Sequence, residues 1–265
     1  MDLTAPTMRT MLNKVPLVTL YFWVIKIMAT TVGETAADFL NTNLNLGLSN
    51  TSLMMGALLI AALVLQFRKD RYVPWIYWVA VVLISVVGTL ITDNLTDHFG
   101  IPLQTTTAVF AAMLAATFAV WYAVEKTLSI HTIFTTRREW FYWATILFTF
   151  ALGTAAGDLL AEQLKLGYLH SAMVFGAGIV ITYAAYRMLN LNAVAAFWIA
   201  YILTRPFGAS FGDLLSQPHA NGGLGLGTVG TSAIFLSVIL VLIVVMTKAQ
   251  RAVAAKASGA SPTSP

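Results

Sequence analysis

The sequence predicts an all-α fold, a polytopic membrane protein with eight transmembrane helices in four parallel two-helix repeats. Three observations predict it. Of 265 residues, 58% are hydrophobic and 10% charged, whereas a soluble domain carries roughly 25% charged residues. The apolar residues gather in segments of about 20, the length that crosses a hydrocarbon core. One aromatic–glycine–aspartate pattern recurs four times along the chain. With a mean hydropathy of +0.78, disorder, coiled coil and collagen are excluded. There is no cysteine, which excludes disulfides and thiolate metal sites.

The expected spans are about 16–40, 51–67, 74–97, 104–125, 139–163, 170–189, 193–216 and 228–247. They are helical, because the alternating short segments of a β-barrel do not occur. The first is not a cleavable signal: it is long, carries Lys26, Glu34 and Asp38, and lacks a small-residue cleavage site. Residues 1–250 read as one transmembrane domain, with repeats at about 16–72, 73–129, 138–191 and 192–250. Residues 251–265 are rich in Ala, Ser and Pro and read as a disordered cytoplasmic tail.

The loops orient the chain. Of 15 Lys and Arg, Lys26 and Arg205 fall inside spans and Lys165 alone lies on the side opposite the N-terminus. The other 12, from Arg9 to Lys256, share the N-terminal side. This asymmetry predicts cytoplasmic termini. The basic pI is therefore a topology signal, and no nucleic-acid partner is expected. The expected partners are the lipid bilayer, a small cation and protons; the oligomeric state is left open.

The repeat explains the rest of the pattern. Phe or Tyr precedes Trp23, Trp78, Trp143 and Trp198. Ten residues after each Trp stands Gly33, Gly88, Gly153 or Gly208, and fifteen after it Asp38, Asp93, Asp158 or Asp213. The pattern [FY]-W-x9-G-x4-D thus occurs four times without a gap. It falls only in the odd spans, so each unit is two helices and all four share one orientation. A larger duplication overlies it. Trp23 to Trp143 and Trp78 to Trp198 are both 120 residues, and Leu44-x-Leu46-Gly47 returns as Leu164-x-Leu166-Gly167.

These motifs, with GETAAD at 33–38 and RPFGASFGD at 205–213, resemble a family of bacterial inner-membrane proteins. That family is built from four tandem copies of a two-helix repeat of unknown function, each with a Trp. The resemblance covers about residues 16–250. It implies eight spans and a bacterial inner-membrane setting, and it supplies no chemistry.

The chemistry is read from the in-span charges. Each motif Asp is expected in the outer half of the bilayer, about 22 Å beyond a Trp placed at the cytoplasmic interface. Carboxylates pair at i, i+4: Glu34 with Asp38, Asp93 with Asp97, Asp158 with Glu162. Glu34 and the four motif aspartates outnumber Lys26 and Arg205, and buried acids in a membrane must pair, protonate or bind cations. They are the candidate metal ligands, with Thr89, Thr154 and freed carbonyls as further oxygens suited to a hard divalent ion. No resident cofactor is identified; a divalent metal ion is a candidate substrate. Lys26 and Arg205 balance charge or gate. The motif glycines serve close helix packing or a local helix break, and Pro206 predicts a kink.

No P-loop, G-x-S-x-G, H-E-x-x-H or CxxC occurs, so neither a catalytic residue nor an enzyme is expected. The leading expectation is a transporter of a small inorganic cation, with divalent metal such as manganese as the specific guess. The alternative is a non-transport scaffold or sensor whose carboxylates are structural. Three structural expectations follow: odd helices line the interior, even helices form an outer layer, and Arg205 meets a carboxylate of a neighbouring odd helix.

Overall fold

The structure, a computed structural model, describes residues 13–44 and 46–257. Eight long helices account for it, and no strand occurs among the described residues. They are α1 (Leu20–Asp38), α2 (Leu48–Phe67), α3 (Pro74–Asp93), α4 (Leu103–Glu125), α5 (Thr136–Asp158), α6 (Gly167–Met188), α7 (Ala193–Ser216) and α8 (Gly227–Ala257). Seven are long and apolar enough to cross a membrane; α1, with Lys26, Glu34 and Asp38, is the more polar exception. The helix α8 runs on through 251–257, into the stretch expected to be disordered, and 258–265 lie outside the described residues.

Local chemistry sets the helix starts. Thr19 and Thr135 accept hydrogen bonds from Phe22 N and Arg138 N. The Asn192 Oδ1 accepts from Val194 N and Ala195 N, and Pro74 opens α3 after an extended Val73. These are N-cap and N1 preferences. At the other end, α1, α3 and α5 each pass directly into a five-residue π-turn, at Phe39–Asn43, Asn94–His98 and Leu159–Gln163. The duplicated Leu-x-Leu-Gly then turns the chain, with Gly47 and Gly167 both at φ +75°, a conformation open to glycine. The helix α7 has no π-turn and ends at Ser216.

The odd helices form a closed ring in the order α1, α3, α5, α7 and back to α1. Each even helix packs outside, against the odd helix that follows it: α2 on α3, α4 on α5, α6 on α7, and α8 back on α1. Each repeat therefore covers its successor, and α8 closes the circle. Hydropathy and burial agree with this layering. The even helices are apolar all round and bury few residues, while the odd helices bury most of theirs.

Two contacts recur around the ring and explain two of the motif's elements. The aromatic before each Trp meets the Trp of the next repeat: Phe22–Trp78 at 5.8 Å, Tyr77–Trp143 at 5.6 Å, Tyr142–Trp198 at 6.3 Å and Phe197–Trp23 at 5.6 Å between ring centroids. Likewise, each motif glycine abuts the residue seven places after the next Trp. A Cβ on Gly33 would lie 1.8 Å from Ser85 Oγ, on Gly88 2.7 Å from Phe150 Cβ, on Gly153 2.2 Å from Arg205 Cγ, and on Gly208 1.8 Å from Thr30 Oγ1. Equal offsets in contact require the odd helices to be parallel.

These contacts correct two expectations. Trp78, Trp143 and Trp198 are buried and Trp23 is half-buried, so they are ring-to-ring packing residues rather than an interfacial belt. The helices also run unbroken through all four glycines. Close approach is what these glycines provide. Where the backbone departs from α-helix, it does so after Asp38, Asp93 and Asp158, in the π-turns.

Candidate functional site

Positions 7, 11 and 15 after each Trp are spaced i, i+4, i+8 and share one helix face. Turned toward the ring interior, they stack three layers. The outermost holds Asp38, Asp93, Asp158 and Asp213. The middle layer is Glu34, Thr89, Thr154 and Ala209. The inner layer is Thr30, Ser85, Phe150 and Arg205. Below it, Lys26 and Tyr201 occupy the position three after Trp, and the Phe22, Tyr77, Tyr142 and Phe197 rings fill the Trp end. There Tyr77 and Tyr142 share a 2.5 Å hydrogen bond between their hydroxyls.

Arg205 ties these layers together. Its side chain is fully buried, and one terminal nitrogen reaches all three other odd helices. It is 3.0 Å from Glu34 Oε2 on α1, donates to Thr89 on α3, and lies 2.7 Å from Thr154 Oγ1 on α5. Thr89 Oγ1 also lies 3.3 Å from Glu34 Oε2. This is the carboxylate contact expected on a neighbouring odd helix. A buried charge without such a partner costs several kcal/mol. Arg205 Nε and its other terminal nitrogen have no partner among the described residues.

Lys26 is fully buried, and its ammonium has no hydrogen-bond partner among the described residues. It lies 4.4 Å from the centroid of the Phe150 ring and 4.3 Å from that of Tyr201, both aromatic faces that attract cations. The guanidinium carbon of Arg205 lies 5.4 Å from the same Phe150 ring. Two basic side chains thus occupy the inner part of the axis, separated by one aromatic side chain.

The outer layer has a different character. Asp38, Asp93 and Asp158 are half-buried, and Asp213 is 7% exposed. Gln217 Nε2 donates to Asp38 Oδ2 at 3.3 Å. Among the described residues no side chain donates to Asp93, Asp158 or Asp213, and none of their oxygens belongs to the sealed, unpartnered polar atoms. Glu34 lies within electrostatic range of all four aspartates. Among the described residues, no three His, Asp or Glu side chains are gathered closely enough to hold a metal ion. The five carboxylates read as metal ligands therefore surround the axis without forming a compact ligand set, and Glu34 is engaged by Arg205.

Sequence reasoning singled out Lys26, Glu34, Arg205, Thr89 and Thr154, and the structure brings the last four together. It missed Phe150 and Tyr201 as the aromatic seat of Lys26. The signal was present: Phe150 stands where the other repeats have Thr30, Ser85 and Arg205. It also missed a polar knot at the Trp end. There Lys14 Nζ lies 2.7 Å from Glu139 Oε2, and Gln66 Nε2 lies 3.0 Å from Glu139 Oε1, all buried. These residues are outside the repeat motif.

No curated protein and no solved structure matches the chain. A family model described as a Repeat of Unknown Function (DUF347) matches it four times, at residues 21–72, 76–127, 141–190 and 196–252. Each match opens two residues before a motif Trp and takes in most of one odd helix and the even helix after it. The chain therefore belongs to the DUF347 repeat family, as a tandem array of four repeats.

Proposed function

We propose that the protein is a membrane transporter of a small inorganic cation, with the four-helix ring as its pathway. One observation carries the reading: Asp93, Asp158 and Asp213 surround the axis without a side-chain hydrogen-bond donor among the described residues and without being sealed from solvent. Carboxylates that merely locked a bundle would each have a local donor. An acidic ring at the mouth of a pathway instead concentrates cations and neutralises their charge. The spread of the carboxylates around the axis among the described residues suits a cation that keeps part of its water at this ring, as small divalent ions do. Manganese is the specific candidate, and protons shared among the carboxylates are the candidate coupling ion. The proposed setting is a bacterial inner membrane with both termini cytoplasmic and the Asp end outward, following the charge asymmetry of the loops.

A second reading, a non-transport scaffold or sensor, is favoured by the Trp end of the axis, where Phe22, Tyr77, Tyr142 and Phe197 pack tightly. One experiment separates the two. The full chain is reconstituted in proteoliposomes holding a manganese-quenched dye. Saturable quenching that falls several-fold in Asp93→Asn/Asp158→Asn supports transport. Quenching equal to that of protein-free liposomes, under both inward and outward manganese and pH gradients, supports the scaffold.

A further inference from the structure

We infer that Glu34, Thr89 and Thr154 form a binding site for a monovalent cation, and that the Arg205 guanidinium is a tethered plug occupying it. The use of the site rests on the transport reading; the site itself rests on geometry. Three helices each contribute one oxygen at the same offset from their Trp, and the fourth contributes the small Ala209. Arg205 enters from one turn below and meets all three oxygens through a single terminal nitrogen.

The hydroxyls can serve as acceptors. Thr89 Oγ1 lies 3.2 Å from the Ser85 carbonyl and Thr154 Oγ1 3.3 Å from the Phe150 carbonyl, each four residues earlier in its own helix. These carbonyls can take the hydroxyl protons, leaving oxygen lone pairs directed at the axis. One carboxylate and two such hydroxyls form an all-oxygen set suited to a hard cation.

The groups that touch the guanidinium favour a one-for-one exchange. Glu34 is the only carboxylate in the cage, and it balances one guanidinium. A monovalent ion replaces that guanidinium with no change in local charge. A divalent ion would put one charge more into the cage than the guanidinium does, with the buried Lys26 below it. The plug is also lightly held. Arg205 Nε and its second terminal nitrogen are buried without partners among the described residues, so the guanidinium's hydrogen bonds all lie inside the cage. A fixed structural arginine would be expected to have these donors satisfied as well.

The test uses the purified full chain carrying Arg205→Gln, which removes the plug and keeps the cage. Unfolding temperature in detergent is followed against millimolar guanidinium, sodium, potassium, manganese and choline at constant ionic strength. Guanidinium or an alkali cation is expected to raise the variant's Tm by about 3 °C or more, as a ligand specific to the native state does. Choline should not act, manganese should act less, and wild type should not respond. Adding Glu34→Gln should abolish the response. Recovery of folded variant only when guanidinium is present counts as the same positive result. An equal response in wild type, a response that survives Glu34→Gln, or failure to recover folded variant under every cation overturns the inference. Cation stabilisation without flux in proteoliposomes would keep the cage and remove the transport reading.

Discussion

Gly153 and Arg205 are in direct van der Waals contact across the α5–α7 interface, with no room between them for a single methyl group. The same offset relation holds for Gly33 with Ser85, Gly88 with Phe150 and Gly208 with Thr30. Gly153→Ala should therefore force α5 and α7 apart and shift the arm that carries the guanidinium. Overpacking of this kind costs about 1–3 kcal/mol. Gly56, in α2, has nothing within 4 Å of its would-be Cβ. There the change to Ala should be neutral or stabilising by up to about 1 kcal/mol. Thermal unfolding of both variants in the same detergent checks the contrast, and equal losses would count against the ring contact.

The Arg205–Glu34 pair should behave as a coupled unit. Removing either partner leaves a buried charge and should cost about 3–5 kcal/mol. Removing both, as Glu34→Gln/Arg205→Met, should cost well short of the sum. A double-mutant cycle on unfolding free energies measures the coupling, and strict additivity would mean that the two groups do not meet.

Lys26 should act against stability. Among the described residues its partners are two ring faces within a span. Insertion of such a charge costs about 2.5–3.5 kcal/mol, while a desolvated cation–π contact returns about 2 kcal/mol. Lys26→Met keeps the length of the arm and should raise stability by about 1 kcal/mol. It should also raise cation leak in proteoliposomes, because a positive barrier below the cage is lost. A destabilised variant would indicate a hydrogen-bond partner for the ammonium that this account lacks.

Two tryptophans three residues apart should differ sharply. Trp78 is 1% exposed in the aromatic ring and Trp75 is 56% exposed on the outer face. Trp78→Ala should cost about 3–5 kcal/mol, and Trp75→Ala about 0.5 kcal/mol or less. Comparable losses would show that the Trp motif is not a ring-packing device.

Much of this was legible in the sequence because it is periodic. Apolar length located the helices, and the fixed offsets of Trp, Gly and Asp identified the unit, its parallel sense and the face it turns inward. The cost of an unpaired buried charge pointed Arg205 at a carboxylate of a neighbouring odd helix, and the structure identifies that carboxylate as Glu34. What was not legible depends on which helix meets which. A motif glycine looks the same whether it breaks its own helix or admits a neighbour, and only the ring order distinguishes these. The Trp residues read as interfacial because aromatic belts are common in membranes, yet three of them pack between helices. The π-turns after Asp38, Asp93 and Asp158 leave no distinctive residue pattern. The Lys14–Glu139–Gln66 knot lies outside the repeat, so periodicity could not find it.

The central claim is that the ring's axis is open to solvent at the aspartate layer and closed below Arg205. The chain has no cysteine, so single cysteines report on it without background. Asp158→Cys and Ile146→Cys place a thiol in the acidic layer and, three turns below, at a site with 0% exposure. Each variant is reconstituted and treated on both membrane faces with a charged, water-soluble thiol reagent. Rapid modification of Asp158→Cys, slowed by added cation, and none of Ile146→Cys in the folded protein are expected. An unreactive Asp158→Cys, or equal reactivity at both depths, would contradict the claim.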